Sequence, residues 1–216
     1  LSTDVWNSLR VTEIMVNGHE FIGLKNIGPE PLDLTGVRFL DGIDFDFRLS
    51  GLISLFPGEH VVLAEDLDLF RQAYDTAEMN LAGEYLGGLR DDGELIELAA
   101  AINLVIQDFF YDPNWFALTQ EQWFSLTILD ETADPDTWRD RSNWRPSSHS
   151  RGSPGADDPR TTPEPGAILI NEIMANPSDG STDWVELQNA TAAEIDVGGW
   201  YLGDFEADSA SQTYEV

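Results

Sequence analysis

Asp41, Asp44 and Asp46 stand around a glycine turn, and carboxylate oxygens on a tight turn are the hard donor set that calcium takes. Asp179 and Asp183, with the backbone around Gly180, make a second loop of that kind, and Asp130, Asp134 and Asp136 a third. The plainer reading is that strand alternation sets Asp44 and Asp46 on a solvent face, where carboxylates need no ion. Calcium is thus a candidate ligand and not a required cofactor. Close carboxylate pairs say little about acid–base catalysis, because forty Asp and Glu residues make such pairs inevitable. His19, His60 and His149 have no second histidine at ligand spacing, so zinc is not expected. The chain has no cysteine, which excludes thiol catalysis, thiolate metal sites and disulfides. It has no Gly-x-Ser-x-Gly elbow, and Ser150-Arg151-Gly152-Ser153 lies in a proline-rich stretch without that setting. No catalytic residue is expected.

Seven tryptophans are many for 216 residues, and Trp115, Trp123, Trp138 and Trp144 crowd one stretch. Exposed, Trp115 and Trp123 would stack on sugar rings; buried, the same side chains would anchor a loop-rich segment. Trp184 and Trp200 fall on strand positions and are expected in a core. Asn189-Ala190-Thr191 fits the glycosylation pattern, which is too short to carry weight.

The charge is extreme: eleven Lys and Arg against forty Asp and Glu give a net −29, and Lys25 is the only lysine. Such a surface repels phosphate backbones and excludes nucleic acid as a partner. It suits solubility, or a salt-rich or calcium-rich medium that screens self-repulsion. No apolar run approaches the roughly 20 residues of a membrane span, so no membrane insertion is expected. The chain begins at Leu1-Ser2-Thr3 and stops at Val216 in the manner of a piece of something longer, so a missing leader carries no weight.

The elements that position these residues repeat. Val11-Thr12-Glu13-Ile14-Met15-Val16-Asn17 recurs as Ile170-Asn171-Glu172-Ile173-Met174-Ala175-Asn176. Phe21-Ile22-Gly23-Leu24-Lys25-Asn26 then aligns with Trp184-Val185-Glu186-Leu187-Gln188-Asn189, and Leu32-Asp33-Leu34-Thr35-Gly36 with Ile195-Asp196-Val197-Gly198-Gly199. Between the copies, 146–166 is rich in proline and reads as a stiff linker. The domains expected are 1–155, a Pro-rich linker at 156–166, and a truncated second domain at 167–216. Period-two patterning and Gly/Pro turns predict an all-β sandwich of roughly eight or nine strands. One short helix follows the capping residue Asp66, with Leu67, Phe70 and Tyr74 on its stripe. Strands are expected at 60–64, 95–99 and 102–110, the last with apolar residues at alternate positions. A three-residue loop Leu40-Asp41-Gly42 keeps Val37, Phe39, Ile43, Phe45 and Phe47 on one face and sets Arg38 opposite Asp44.

Taken in order, these segments resemble the lamin tail domain, in its bacterial and archaeal secreted form. The resemblance runs through Ile14-Met15, the Phe21–Asn26 segment and Leu32–Gly36. It continues through Leu55-Phe56-Pro57-Gly58 with the strand that follows, Asp92-Gly93-Glu94-Leu95-Ile96-Glu97-Leu98, Ser125-Leu126, Trp144 and Gly152-Ser153-Pro154-Gly155. It covers 9–155 and begins again in 167–216. It implies an immunoglobulin-like β-sandwich without catalytic residues, secreted or on the cell surface. As a tandem repeat, it would work as a structural or adhesive module through protein partners or neighbouring domains. The alternative reading is a carbohydrate-binding accessory domain of an extracellular hydrolase.

Overall fold

The structure, a computed structural model, describes residues 3–100, 104–121, 123–159, 166–176, 182–192, 195, 197, 201–203 and 213–215. The chain divides into two compact units, Leu1–Asp158 and Pro159–Val216.

The first unit is an all-β sandwich. Its strands are β1 (Leu9–Met15), β2 (Phe21–Asn26), β3 (Leu32–Asp33), β4 (Arg38–Asp41), β5 (Ser54–Leu55) and β6 (His60–Ala64). Then come β7 (Leu81–Glu84), β8 (Glu94–Ala100), β9 (Leu104–Tyr111), β10 (Leu126–Ile128) and β11 (Trp144–Pro146). A six-stranded sheet runs β11-β10-β1-β2-β6-β7, a three-stranded sheet β4-β8-β9, and β3 pairs with β5. Among the described residues, short α-helices accompany them: α1 (Thr3–Ser8), α2 (Leu67–Ala73) and α3 (Ala117–Glu121). Only α2 is long enough for its stripe to be legible in sequence; α1 and α3 have six and five residues.

Helix α2 starts as expected, with Asp66 Oδ1 accepting the N–H groups of Asp68 and Leu69 at 2.9 Å each. It carries the chain across to β7, which pairs parallel with β6. Its buried Phe70 packs with Met15, Phe21, Val62 and Ala64. Those residues alternate with Ile14, Ile22, Val61 and Leu63, which face the main core. The middle of the large sheet is therefore apolar on both faces, and β1 and β2 are buried along their whole length. Covering the second face adds roughly 1.5–3 kcal/mol per large side chain buried.

The turn after β4 keeps the expected face but moves the pairing. Val37, Phe39, Ile43, Phe45 and Phe47 are all buried, and Gly42 takes φ +88°. The bonds run from Phe39 N to Phe45 O and from Phe47 N to Val37 O, each 3.0 Å. Arg38 therefore lies opposite Asp46, not Asp44. The loop is longer than three residues by an even number, so side-chain direction is preserved. Asp44 instead bridges to Leu86.

Alternation breaks in β9. Leu98 pairs with Gln107 and Ala99 with Val105, leaving Ile106 as a bulge. Ile106 and Gln107 are both buried, Phe109 and Tyr111 point into the core, and Phe110 is 49% exposed.

A bulge also interrupts the β1–β2 ladder between Val11 and Glu13. The other neighbour of β1, β10, pairs with it at Glu13 and Ile14. At Val11 side chains replace a strand: Gln107 Oε1 accepts the Val11 N–H at 2.8 Å, and Trp138 Nε1 donates to Val11 O at 2.9 Å. Trp138 is fully buried and in turn accepts, at its carbonyl, the Nε1–H of Trp144 at 2.8 Å.

In the second unit β12 (Ile168–Met174) pairs with β13 (Trp184–Asn189), and β14 (Tyr201–Gly203) with β15 (Thr213–Glu215). The β12–β13 hairpin repeats β1–β2 residue for residue, with its bulge between Ile170 and Glu172 at the aligned position. Burial differs. Val11, Ile14 and Phe21 are 0% exposed, whereas Ile170, Ile173 and Trp184 are 55%, 63% and 41% exposed. Trp184 is thus not a core residue: β12 and β13 form a sheet of two strands, and no described strand extends it. Trp200 lies outside the described residues, as do Asp196, Gly198 and Gly199 of the third repeated segment.

Replacing Trp138 by Phe keeps an aromatic six-membered ring but removes the indole N–H and strands the Val11 carbonyl in the core. Chemical denaturation should show a loss of about 1–3 kcal/mol, most of it from that carbonyl; an unchanged midpoint would count against the role given to the indole N–H.

Candidate functional site

The structure disperses the aspartates of the first calcium candidate. Asp46 accepts the Arg48 N–H at 2.9 Å and binds the Arg48 guanidinium with both carboxylate oxygens. That pairing holds its carboxyl below the ordinary range. Asp41 accepts the N–H of Gly42 at 2.9 Å, and Asp44 lies on the exposed side of its bridge. Asp183 receives the Asn176 N–H at 2.7 Å, and Asp179 lies outside the described residues. Asp130 and Asp134 are used in local turns, accepting the N–H groups of Thr132 and Asp136. Among the described residues no group of three or more His, Asp or Glu side chains is placed to hold a metal ion.

The tryptophans divide. Trp115 is half-buried against the core, its ring centroid 6.4 Å from that of Trp144. Trp123 is 44% exposed and sits at φ +62°. Its ring lies against Gly18, where an added Cβ would come within 3.1 Å of Cε3. Glycine at 18 thus serves both the turn, at φ +80°, and the close approach of the ring. His19 meets Trp123 and Tyr74 edge-on, at 6.4 and 6.2 Å between centroids. Trp115 thus braces the core, while Trp123 covers the β1–β2 turn.

What the fold does bring together is a buried polar clasp that sequence reasoning missed. Glu13 is 4% exposed; one carboxylate oxygen accepts from Ser125 Oγ at 2.5 Å and from the Ser153 N–H at 2.8 Å. Gly152, at φ +74°, passes so close that a Cβ there would fall 2.3 Å from the same oxygen. Next to it Asp158 pairs with Arg145 at 2.6 Å, their side chains 1% and 10% exposed. Asp158 also accepts from Ser148 N at 2.8 Å and Ser153 Oγ at 3.0 Å. Burial alone would raise the Asp158 pKa, but Ser148 and Arg145 more than offset that and hold it low. Beyond it, Asp157 binds Lys25 at 2.6 Å and His60 at 3.1 Å, and Lys25 also binds Glu131 at 2.6 Å. Burial opposes the lysine charge, yet its two carboxylate bonds leave its pKa raised.

Asp157 and Asp158, expected in the linker, thus close the first unit. The available signal was the recurrence of Glu13 at Glu172; the aspartates themselves read as linker, because Gly155 and Pro159 enclose them.

Glu13 is the clasp's titrating centre. Burial pushes its pKa up from an ordinary 4.5 to about 7, against the opposing bonds from Ser125 and Ser153. Burial likewise raises Glu20, beside Leu89 N and Tyr85, to about 7. A raised folded pKa means the folded chain binds the proton more tightly. The stability this contributes is complete below about 4.5 and is lost as pH rises through about 7. Between pH 5 and 8 the wild type should therefore lose on the order of 1–3 kcal/mol more than Glu13→Gln, measured by urea denaturation. Glu20 leaves a residual slope in the variant; equal slopes would contradict a buried, proton-binding Glu13. Ending the chain at Gly155 instead of Asp158 should cost about 3 kcal/mol, read the same way, because Arg145 then keeps a buried charge without its partner.

Comparison with known proteins bears on the second unit. A family model described as Lamin Tail Domain matches residues 161–216. Neither the curated proteins nor the solved structures contain a match to the chain. The matched residues include the β12–β13 hairpin, whose bulge and register are those of β1–β2 in the first unit.

Proposed function

We propose that the chain is a non-catalytic structural or adhesive module of a secreted or cell-surface multidomain protein. In this reading it is of the bacterial and archaeal lamin-tail type, with 9–155 as a full copy and 167–216 as the start of a second. The matched hairpin and its duplicate support the tandem reading. The observation that carries an interaction role is the outer face of the β4-β8-β9 sheet. There Leu95 and Phe110 face each other across β8 and β9, 36% and 49% exposed, directly behind the buried Ile96 and Phe109. An apolar cross-strand pair left in water on a chain of net −29 supports contact with another protein surface. Glu97 and Asp108, paired next along the same strands, would set the polar rim.

The acidity supports a salt-containing extracellular medium. Among the described residues no helix is long and apolar enough to cross a membrane. In this reading calcium is not a structural cofactor, so the melting midpoint should be the same with millimolar calcium and with chelator; a rise with calcium that is lost in Asp41→Asn would reinstate the ion.

The interaction role is tested with Phe110→Glu, which changes only an exposed position. Its melting midpoint should match the wild type, while proteins from a cell-surface extract that the immobilised wild type retains should be lost. An identical retained set would overturn the assignment of this face.

A further inference from the structure

A cleft of about 390 Å³ opens on the first unit between α1, β9 and the turn Pro135–Arg139. Its volume lies within the range of roughly 300–1,000 Å³ usual for small-molecule sites. The cleft lies where β1 has no strand beyond Glu13 on its β10 side and Gln107 completes the backbone of Val11.

The lining is chemically mixed. Arg10 is 5% exposed; its Nη1 donates to Trp6 O at 3.2 Å and Leu9 O at 2.9 Å, while its buried Nε has no acceptor among the described residues. Gln107 is 2% exposed, and with its Oε1 taken by Val11 its buried Nε2 likewise has none. Two deeply placed donor side chains, each with an unpaired N–H, thus border one solvent-open cleft. Trp6 stands at the mouth, 48% exposed, its Nε1 bound to Val105 O at 2.7 Å. The bond fixes the ring while leaving its surface in water. The lining also carries the carboxylates Asp108, Asp134 and Asp136, Asp108 paired with Arg139 at 2.7 Å and Asp136 84% exposed.

This combination restricts the occupant. A cation meets the Arg10 guanidinium, and an anion meets Asp134 and Asp136 on a chain of net −29. A neutral ring that both donates and accepts hydrogen bonds, and offers a C–H face to an aromatic plane, satisfies every part of the lining. We propose that the cleft binds a neutral saccharide: Trp6 stacks on a sugar face, Arg10 and Gln107 donate to its oxygens, and Asp134 and Asp136 accept from its hydroxyls. The lining includes neither Leu95 nor Phe110 of the proposed contact face, whose rim residue Asp108 it shares, and neither Trp115 nor Trp123.

The test is calorimetric titration of the full chain with neutral oligosaccharides of glucose, mannose, galactose and N-acetylglucosamine, with oligogalacturonate as the anionic control. At least one neutral oligosaccharide should bind saturably. Trp6→Ala should weaken it about tenfold, and Trp123→Ala should leave it unchanged. Should Trp6→Ala melt early, Asp136→Ala decides: that side chain's contact with Arg139 is long, at 4.0 Å, and exposed, so its loss should spare the fold and still weaken binding several-fold. No neutral binding, binding of oligogalacturonate alone, or affinity indifferent to both Trp6 and Asp136 in folded protein would each overturn the site.

Discussion

Every backbone group of β1 and the carboxylate of Glu13 are withdrawn from water, and each must find a partner inside the protein. The rest of the first unit is arranged around that demand. Toward β2 the ladder serves all but the bulge. On the other edge β10 serves Glu13 and Ile14, while Gln107 and Trp138 serve Val11. Ser125 and Ser153 satisfy the Glu13 side chain. Those partners come from segments roughly 100 to 140 residues further along the chain. Closing loops of that length costs entropy that only docking of the C-terminal segments offsets, so β1 is a strand whose stability the whole unit shares.

This explains which parts were legible in sequence. Alternation and turn chemistry are local, so the α2 cap at Asp66, the strand at His60–Ala64 and the common face of Val37 through Phe47 could all be read from neighbouring residues. Where a bulge intervenes, periodicity misleads. Phe110 fits the alternating pattern with Leu104 and Ile106, but the bulge at Ile106 turns it to solvent and brings Phe109 inward. The expected Arg38–Asp44 pairing gave way to Arg38–Asp46 for a related reason: two registers of equal parity bury the same residues, so the hydrophobic pattern does not choose between them. The clasp was invisible because Asp157 and Asp158 look like linker until the fold places Arg145, Lys25 and His60 beside them. Among the candidate residues, the tryptophans clustered in sequence divide in the fold. Trp138 and Trp144 are buried in the core, Trp115 packs against it, and Trp123 is exposed.

The charge imbalance takes on structure at this level. With forty acidic residues against eleven basic ones, most carboxylates have no cation available, and many are instead used as acceptors for nearby N–H groups. Asp66, Asp112, Asp134 and Asp140 each cap a helical turn through their side-chain oxygen. The cations are placed where burial makes a partner valuable: Lys25 and Arg145 are each 10% exposed at the side chain, and both bind residues that close the unit. An exposed pair such as Arg90–Asp92 adds little by comparison.

The duplicated hairpin separates local coding from burial. In β1–β2 the bulge sits in a fully buried sheet; in β12–β13 the same bulge occurs with its apolar side chains largely in water. Core packing therefore does not impose it. What the two hairpins share is a polar residue at the bulged position, Thr12 or Asn171, between an apolar residue and a glutamate. In each case its side chain donates across the ladder to the same partner position: Thr12 Oγ1 to the Gly23 carbonyl at 3.4 Å, and Asn171 Nδ2 to the Glu186 carboxylate. The bulge turns Glu13 and Val11 out of simple alternation, so that Glu13 reaches the clasp while Val11 remains in the core. A local sequence device thus sets the geometry on which the long-range clasp depends, with or without the packing that buries it in the first unit.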